Sequence, residues 1–194
     1  MKRIKIFLST ALSAAAMLVG NPFTATAQQL PNNGFKEWKG SCGTSESLGS
    51  TTGMRQRPGD EPQGWNGSSV NQKVSIVTKQ QELVYKSTNG VSGNCVQLKS
   101  AKVGALGIES TAPGYISFGT PWVYAVTNLA KCDGGTYGGA EFKYRPDAVA
   151  GYFKRTDSNN EVSHIIFYSW TGTFKSNIGE KGNPTVIRDD VDRA

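Results

Sequence analysis

The chain has 194 residues, 37% of them hydrophobic and 19% charged, with 23 glycines and a formal charge of +6. Three of those positive charges (Lys2, Arg3 and Lys5) stand at the extreme N-terminus, which leaves +3 for the rest, with its Lys and Arg scattered among acids. A nucleic-acid groove needs a basic stripe, so this balance excludes nucleic acid as an expected partner.

The first 27 residues read as an export signal. A positive start is followed by an apolar run over 6–20, too short and too rich in Ala and Ser to span a bilayer, and Ala25-Thr26-Ala27 is a cleavage signal. The mature chain is expected to begin at Gln28 and to comprise 167 residues, enough for one domain with one core. Absence of a Cys directly after the cleavage point argues against a lipid anchor, and no later apolar run is long enough to insert in a membrane. The expected location is periplasmic or secreted, including association with the cell surface.

Short alternating runs separated by Gly, Asn, Pro and Ser, without long helical periodicity, predict an all-β domain. Residues 28–39 form an entry segment with Asn32-Asn33-Gly34 as a turn, and the Ser-, Thr- and Gly-rich stretch 40–54 reads as a loop. A second loop covers 57–62 and ends at Trp65, and Asn66-Gly67-Ser68-Ser69 continues as a turn whose polar groups could meet a ligand or merely shape the turn. Strands are predicted at 74–77, 82–86, 95–99 and 115–118. Gly134-Gly135 and Gly138-Gly139 frame Thr136-Tyr137 as a turn or a close backbone approach, with no phosphate-cradling pattern. The alternation Glu141, Phe142, Lys143, Tyr144, Arg145, then Pro146-Asp147, then Tyr152-Phe153, reads as strand, turn, strand. Residues 162–170 are apolar on both faces and read as a central strand. The expected architecture is a two-sheet jelly-roll sandwich. A final strand to cover its edge is missing after 187, so the chain is expected to be a truncated product.

Cys42, Cys95 and Cys132 allow one disulfide in any of three pairings, or simply buried thiols. His164, the sole histidine, is expected to be buried, and its neighbour Ser163 points to the opposite face of a strand, so the two are no dyad. Phe35, Trp38 and Trp65 are expected to plug one end of the sandwich.

Sugar recognition stacks flat aromatics on a pyranose and bonds its hydroxyls with carboxylates, amides or Arg. The candidate ligand-binding residues are Trp122, Glu141, Arg145, Tyr152, Tyr168 and Trp170, with Tyr124, Asp147, Lys154 and Asp157 as further candidates. For each aromatic, core packing competes with ligand contact, and Glu141, Lys143 and Arg145 also fit a solvated sheet face. A glycosidase would need two converging carboxylates, for which Glu141 and Asp147 are the first candidates and Asp157 and Glu161 lie close by in sequence. No protein-ligated metal motif is visible.

The order NNGFKEW, EPQGWNGSS, GVSGNCVQLKS, PGYISFGTPW and GGAEFKYRPDAVAGYFKR, spread over roughly residues 30–187, resembles the PCMD carbohydrate-metabolism domain family of exported proteins from glycan-degrading bacteria. That resemblance implies a galactose-binding-like jelly roll, a carbohydrate partner and no cofactor. Lys36 stands in the entry motif at a place commonly acidic, with Glu37 one position on, so if relatives held a structural cation there, this chain departs from that site; a structural calcium stays open as an alternative. The leading expectation is a non-catalytic glycan-binding or glycan-handling domain. The alternatives are a glycoside hydrolase with a carboxylate pair and a structural or adhesive surface module without a small ligand.

Overall fold

The computed structural model describes residues 2–4, 29–49, 53–74, 76–105, 108–128, 132–143, 148–156, 162–167, 170–171 and 192–193. Among these residues the chain is all-β, with no helix. Its largest sheet has four strands in the order β13 (Asp133–Tyr137), β12 (Thr120–Ala125), β2 (Thr44–Gly49) and β3 (Gly53–Gln56). β12 pairs antiparallel with β13 and parallel with β2, and β2 pairs antiparallel with β3. The remaining strands form antiparallel pairs: β5 (Val70–Val74) with β6 (Val77–Gln81), β7 (Val84–Gly90) with β8 (Gly93–Leu98), and β9 (Ala101–Ala105) with β10 (Ile108–Ala112). Shorter pairs join β4 (Asn66–Gly67) to β11 (Ile116–Ser117), β1 (Lys2–Ile4) to β14 (Gly151–Phe153), and β15 (Trp170–Thr171) to β16 (Asp192–Arg193). Small antiparallel units around one larger sheet are consistent with a β-sandwich.

β12 is one of the two inner strands of the main sheet and is covered on both sides. Pro121, Trp122, Tyr124 and Ala125 are all buried. The Trp122 ring lies against β13 where that strand has no side chain: a β-carbon on Gly135 would stand 3.3 Å from Trp122 Nε1. Gly119 enters the same junction, with its missing β-carbon only 2.9 Å from both Thr136 Cβ and Tyr137 O. The glycine cluster therefore allows a close approach, as its sequence predicts, but Gly134 and Gly135 lie inside a strand and not in a turn.

Several sequence expectations are corrected. Residues 44–49 form β2, not a loop, because the inward side chains are small and polar. Ser45 and Ser47 are buried, and Ser47 Oγ exchanges hydrogen bonds with the Gln72 amide of β5 at 2.8 and 3.0 Å. The strand expected at 74–77 is not continuous: Val74 ends β5, Val77 opens β6 and pairs with Val74, and Ile76 is 89% exposed. A further hairpin, β9–β10, lies where the sequence reading places no strand. Glu141, Phe142 and Lys143 follow β13 outside any strand. Of the central strand expected over 162–170, residues 162–167 are exposed and stand in no strand, 168 and 169 lie outside the described residues, and Trp170 opens β15; alternation supplies two faces but not a neighbouring strand to bond. His164 is accordingly exposed, not buried.

Candidate functional site

The entry segment is organised by two turns. Phe35 N donates to Asn32 O at 2.9 Å, and Asn32 takes the left-handed region at φ 46°. Pro62-Gln63-Gly64-Trp65 is a type II turn, with Trp65 N donating to Pro62 O at 3.0 Å and Gly64 at φ 82° supplying the conformation that this turn requires. The two turns are tied together by the Asn32 amide, which donates to Glu37 O at 2.7 Å and Gln63 O at 3.1 Å. Half-buried aromatics close this end: Trp65 lies 3.9 Å from Phe118 and 5.7 Å from Phe35 between ring centroids. Trp38 pairs with Pro62 across a single bridge, and Lys86 sits 5.9 Å from its ring. Of the three aromatics expected to pack together, Phe35 and Trp65 meet ring to ring, and Trp38 joins them through a hydrogen bond from its Nε1 to Phe35 O at 2.9 Å.

Beneath it lies an ionic knot that the sequence reading takes for an ordinary loop. Arg57 and Glu61 are 2% and 0% exposed. Glu61 Oε2 accepts from Arg57 Nη1 at 2.8 Å and from Gly67 N at 2.7 Å. Its Oε1 accepts from Lys39 Nζ at 2.8 Å, Gly43 N at 2.7 Å and Arg57 Nη2 at 3.3 Å. Arg57 Nη1 also donates to Gly67 O. Burial alone would push the Glu61 carboxyl up, but the Lys39 hydrogen bond, the Gly67 N–H, the Arg57 guanidinium and the Gly43 N–H together hold it below its ordinary value. Nearby, burial, with Glu61's charge behind it, pushes the Cys42 thiol up to about 11. Burial likewise raises the Tyr115 phenol, partly offset by Arg57.

This knot is structural chemistry. Five donors occupy the carboxylate's roughly four lone-pair positions, so the ionised Glu61 has none left for a sugar hydroxyl or a metal. Ser68 and Ser69 belong to the same framework and do not face a ligand: their hydroxyls accept from Tyr115 N at 2.8 Å and Leu83 N at 3.2 Å, and both residues are buried. Cys42, Cys95 and Cys132 are free thiols. Among the described residues no group of three His, Cys, Asp or Glu gathers where a metal could sit.

The sequence-predicted ligand residues do not assemble into one site among the described residues. Trp122 and Tyr124 are core residues of β12, which removes both as stacking platforms. Glu141 is exposed in the segment after β13. Tyr152 lies on β14 and is 60% exposed. Lys154 is exposed just beyond it. Trp170 opens β15. Arg145, Asp147, Asp157, Glu161 and Tyr168 lie outside the described residues. No family model, no curated protein and no solved structure matches this chain.

Proposed function

We propose that this chain is an exported module of jelly-roll type that binds an oligo- or polysaccharide without transforming it. The observation that carries the reading is Tyr152, an aromatic 60% exposed on a strand, where a pyranose could stack on its ring. Glu141 and Lys154, both exposed, are polar partners for ring hydroxyls, and the sequence candidates Arg145, Tyr168 and Trp170 belong to the same proposal. The motif order resembling glycan-handling domains supports the same reading. Removal of a leader ending at Ala27 would take away β1, the one strand paired with β14 among the described residues, and leave Tyr152 on an unpaired segment. Retention on immobilised polysaccharides tests the idea. Binding that falls at least tenfold in Tyr152→Ala, with an unchanged melting temperature, supports it; equal retention of the variant removes Tyr152 from the site.

A second reading, an adhesive surface module, is favoured by one observation. Val162, Ile165 and Ile166 are 74%, 62% and 77% exposed, an apolar run of the kind that marks protein contacts. Glycan-independent association that Ile166→Lys abolishes would decide for it.

A further inference from the structure

A small cavity lies beside the ionic knot, lined by Arg57, Asn71, Tyr115 and the serines Ser45, Ser68 and Ser69, among others. Its volume is about 30 Å³, too little for any sugar ring. Two of the lining residues each carry a buried atom without a hydrogen-bond partner: Arg57 Nε, a donor, and Asn71 Oδ1, an acceptor. Buried polar groups of native proteins are almost always satisfied, so an orphaned donor and an orphaned acceptor on two residues lining one cavity ask for a common partner. We propose that this cavity is an internal hydration site in which one ordered water accepts from Arg57 Nε–H and donates to Asn71 Oδ1.

The chemistry selects water over an ion. Asn71 Nδ2 donates to Gln56 O at 2.6 Å, which fixes the amide and leaves its oxygen as the free end. An anion attracted by Arg57 would face the lone pairs of Asn71 Oδ1 and the charge of Glu61. A cation drawn to Asn71 Oδ1 would face the guanidinium. Water alone both accepts and donates. The space fits: a buried water needs roughly 10–15 Å³ and two to four polar partners. The bridge links Arg57, which follows β3, to Asn71 on β5, and so fixes the guanidinium that holds Glu61.

The test is a high-resolution crystal structure of the chain, with a second crystal soaked in bromide. An oxygen peak within about 3.2 Å of both Arg57 Nε and Asn71 Oδ1, without anomalous signal from bromide, supports the proposal. A bromide peak, an empty cavity, or a direct hydrogen bond from Arg57 Nε to Asn71 Oδ1 overturns it. In solution, oxygen-17 relaxation dispersion counts long-lived waters, and folded Asn71→Leu is expected to hold one fewer than the wild type. An equal count in a folded variant overturns the proposal, and if the variant does not fold, the wild-type crystal decides alone.

Discussion

Replacing Glu61 by Gln removes one charge and changes almost no volume, so its cost reports on the ionic knot alone. Arg57 then stays buried, its side chain 1% exposed, without a counter-ion, and breaking a buried pair in this way costs about 3–5 kcal/mol. The contact with Lys39, whose side chain is 27% exposed, adds less than ~1 kcal/mol. A glutamine also turns an NH2 toward donors on one side, leaving either Gly43 N or Gly67 N without its acceptor, a further ~1–3 kcal/mol. These effects share partners and do not add fully, so a loss of about 4 kcal/mol is expected, a large part of a typical ~5–15 kcal/mol. Urea unfolding followed by tryptophan fluorescence would show it as a midpoint lower by about 2 M at a slope of ~2 kcal/mol per M. The pH dependence supplies a control. Because the folded carboxyl titrates below its ordinary 4.5, the wild type keeps this stabilisation above that pH and loses it as the pH falls through the folded value. The gap between wild type and variant should therefore be full at neutral pH and narrow in acid. A loss under ~1 kcal/mol at neutral pH, or a gap that does not narrow in acid, would refute the reasoning.

Other predictions follow from single contacts. Gly67→Ala places a β-carbon 2.8 Å from Val84 Cγ2 beside the knot, and calorimetry should show a loss of ~1–3 kcal/mol from overpacking. Leu83→Ala, at a residue 0% exposed, should cost ~2–5 kcal/mol in the same measurement. Cys42 should be alkylated far more slowly at pH 8 than Cys95 or Cys132, as mass spectrometry can read, since its thiol is buried and titrates at about 11. Ile166→Lys should leave stability within ~0.5 kcal/mol of wild type, because the side chain is 77% exposed.

The all-β class was legible because alternation and turn residues are local signals. The Cys95 run is indeed a strand, and the Pro62–Trp65 turn is written in its Pro and Gly. β2 was not legible, since serines that bond Gln72 in the core look like a solvated loop until the partner is known. The knot escaped for the same reason. Arg57 and Glu61 stand among Pro, Gly and Asp, a loop composition, and only Gly43, Gly67 and Lys39, brought from elsewhere in the chain, turn the pair into a buried junction. The run at 162–167 misled in the opposite direction: its side chains fit a core strand, but a strand needs a ladder partner that periodicity cannot name. Trp122 illustrates the limit for the site, because the same aromatic serves a core or a sugar, and its neighbours on that inner strand decided for the core.

The central functional claim is glycan binding, and the most direct test is the thermal melt of the chain against a panel of polysaccharide classes. A ligand bound only by the folded state at ~100 times its Kd stabilises by ~2.7 kcal/mol, and a domain of this size moves ~2–4 °C per kcal/mol. The account predicts an upward shift of roughly 5–10 °C with one glycan class, lost in Tyr152→Ala. A cooperative melt that no glycan moves would contradict it.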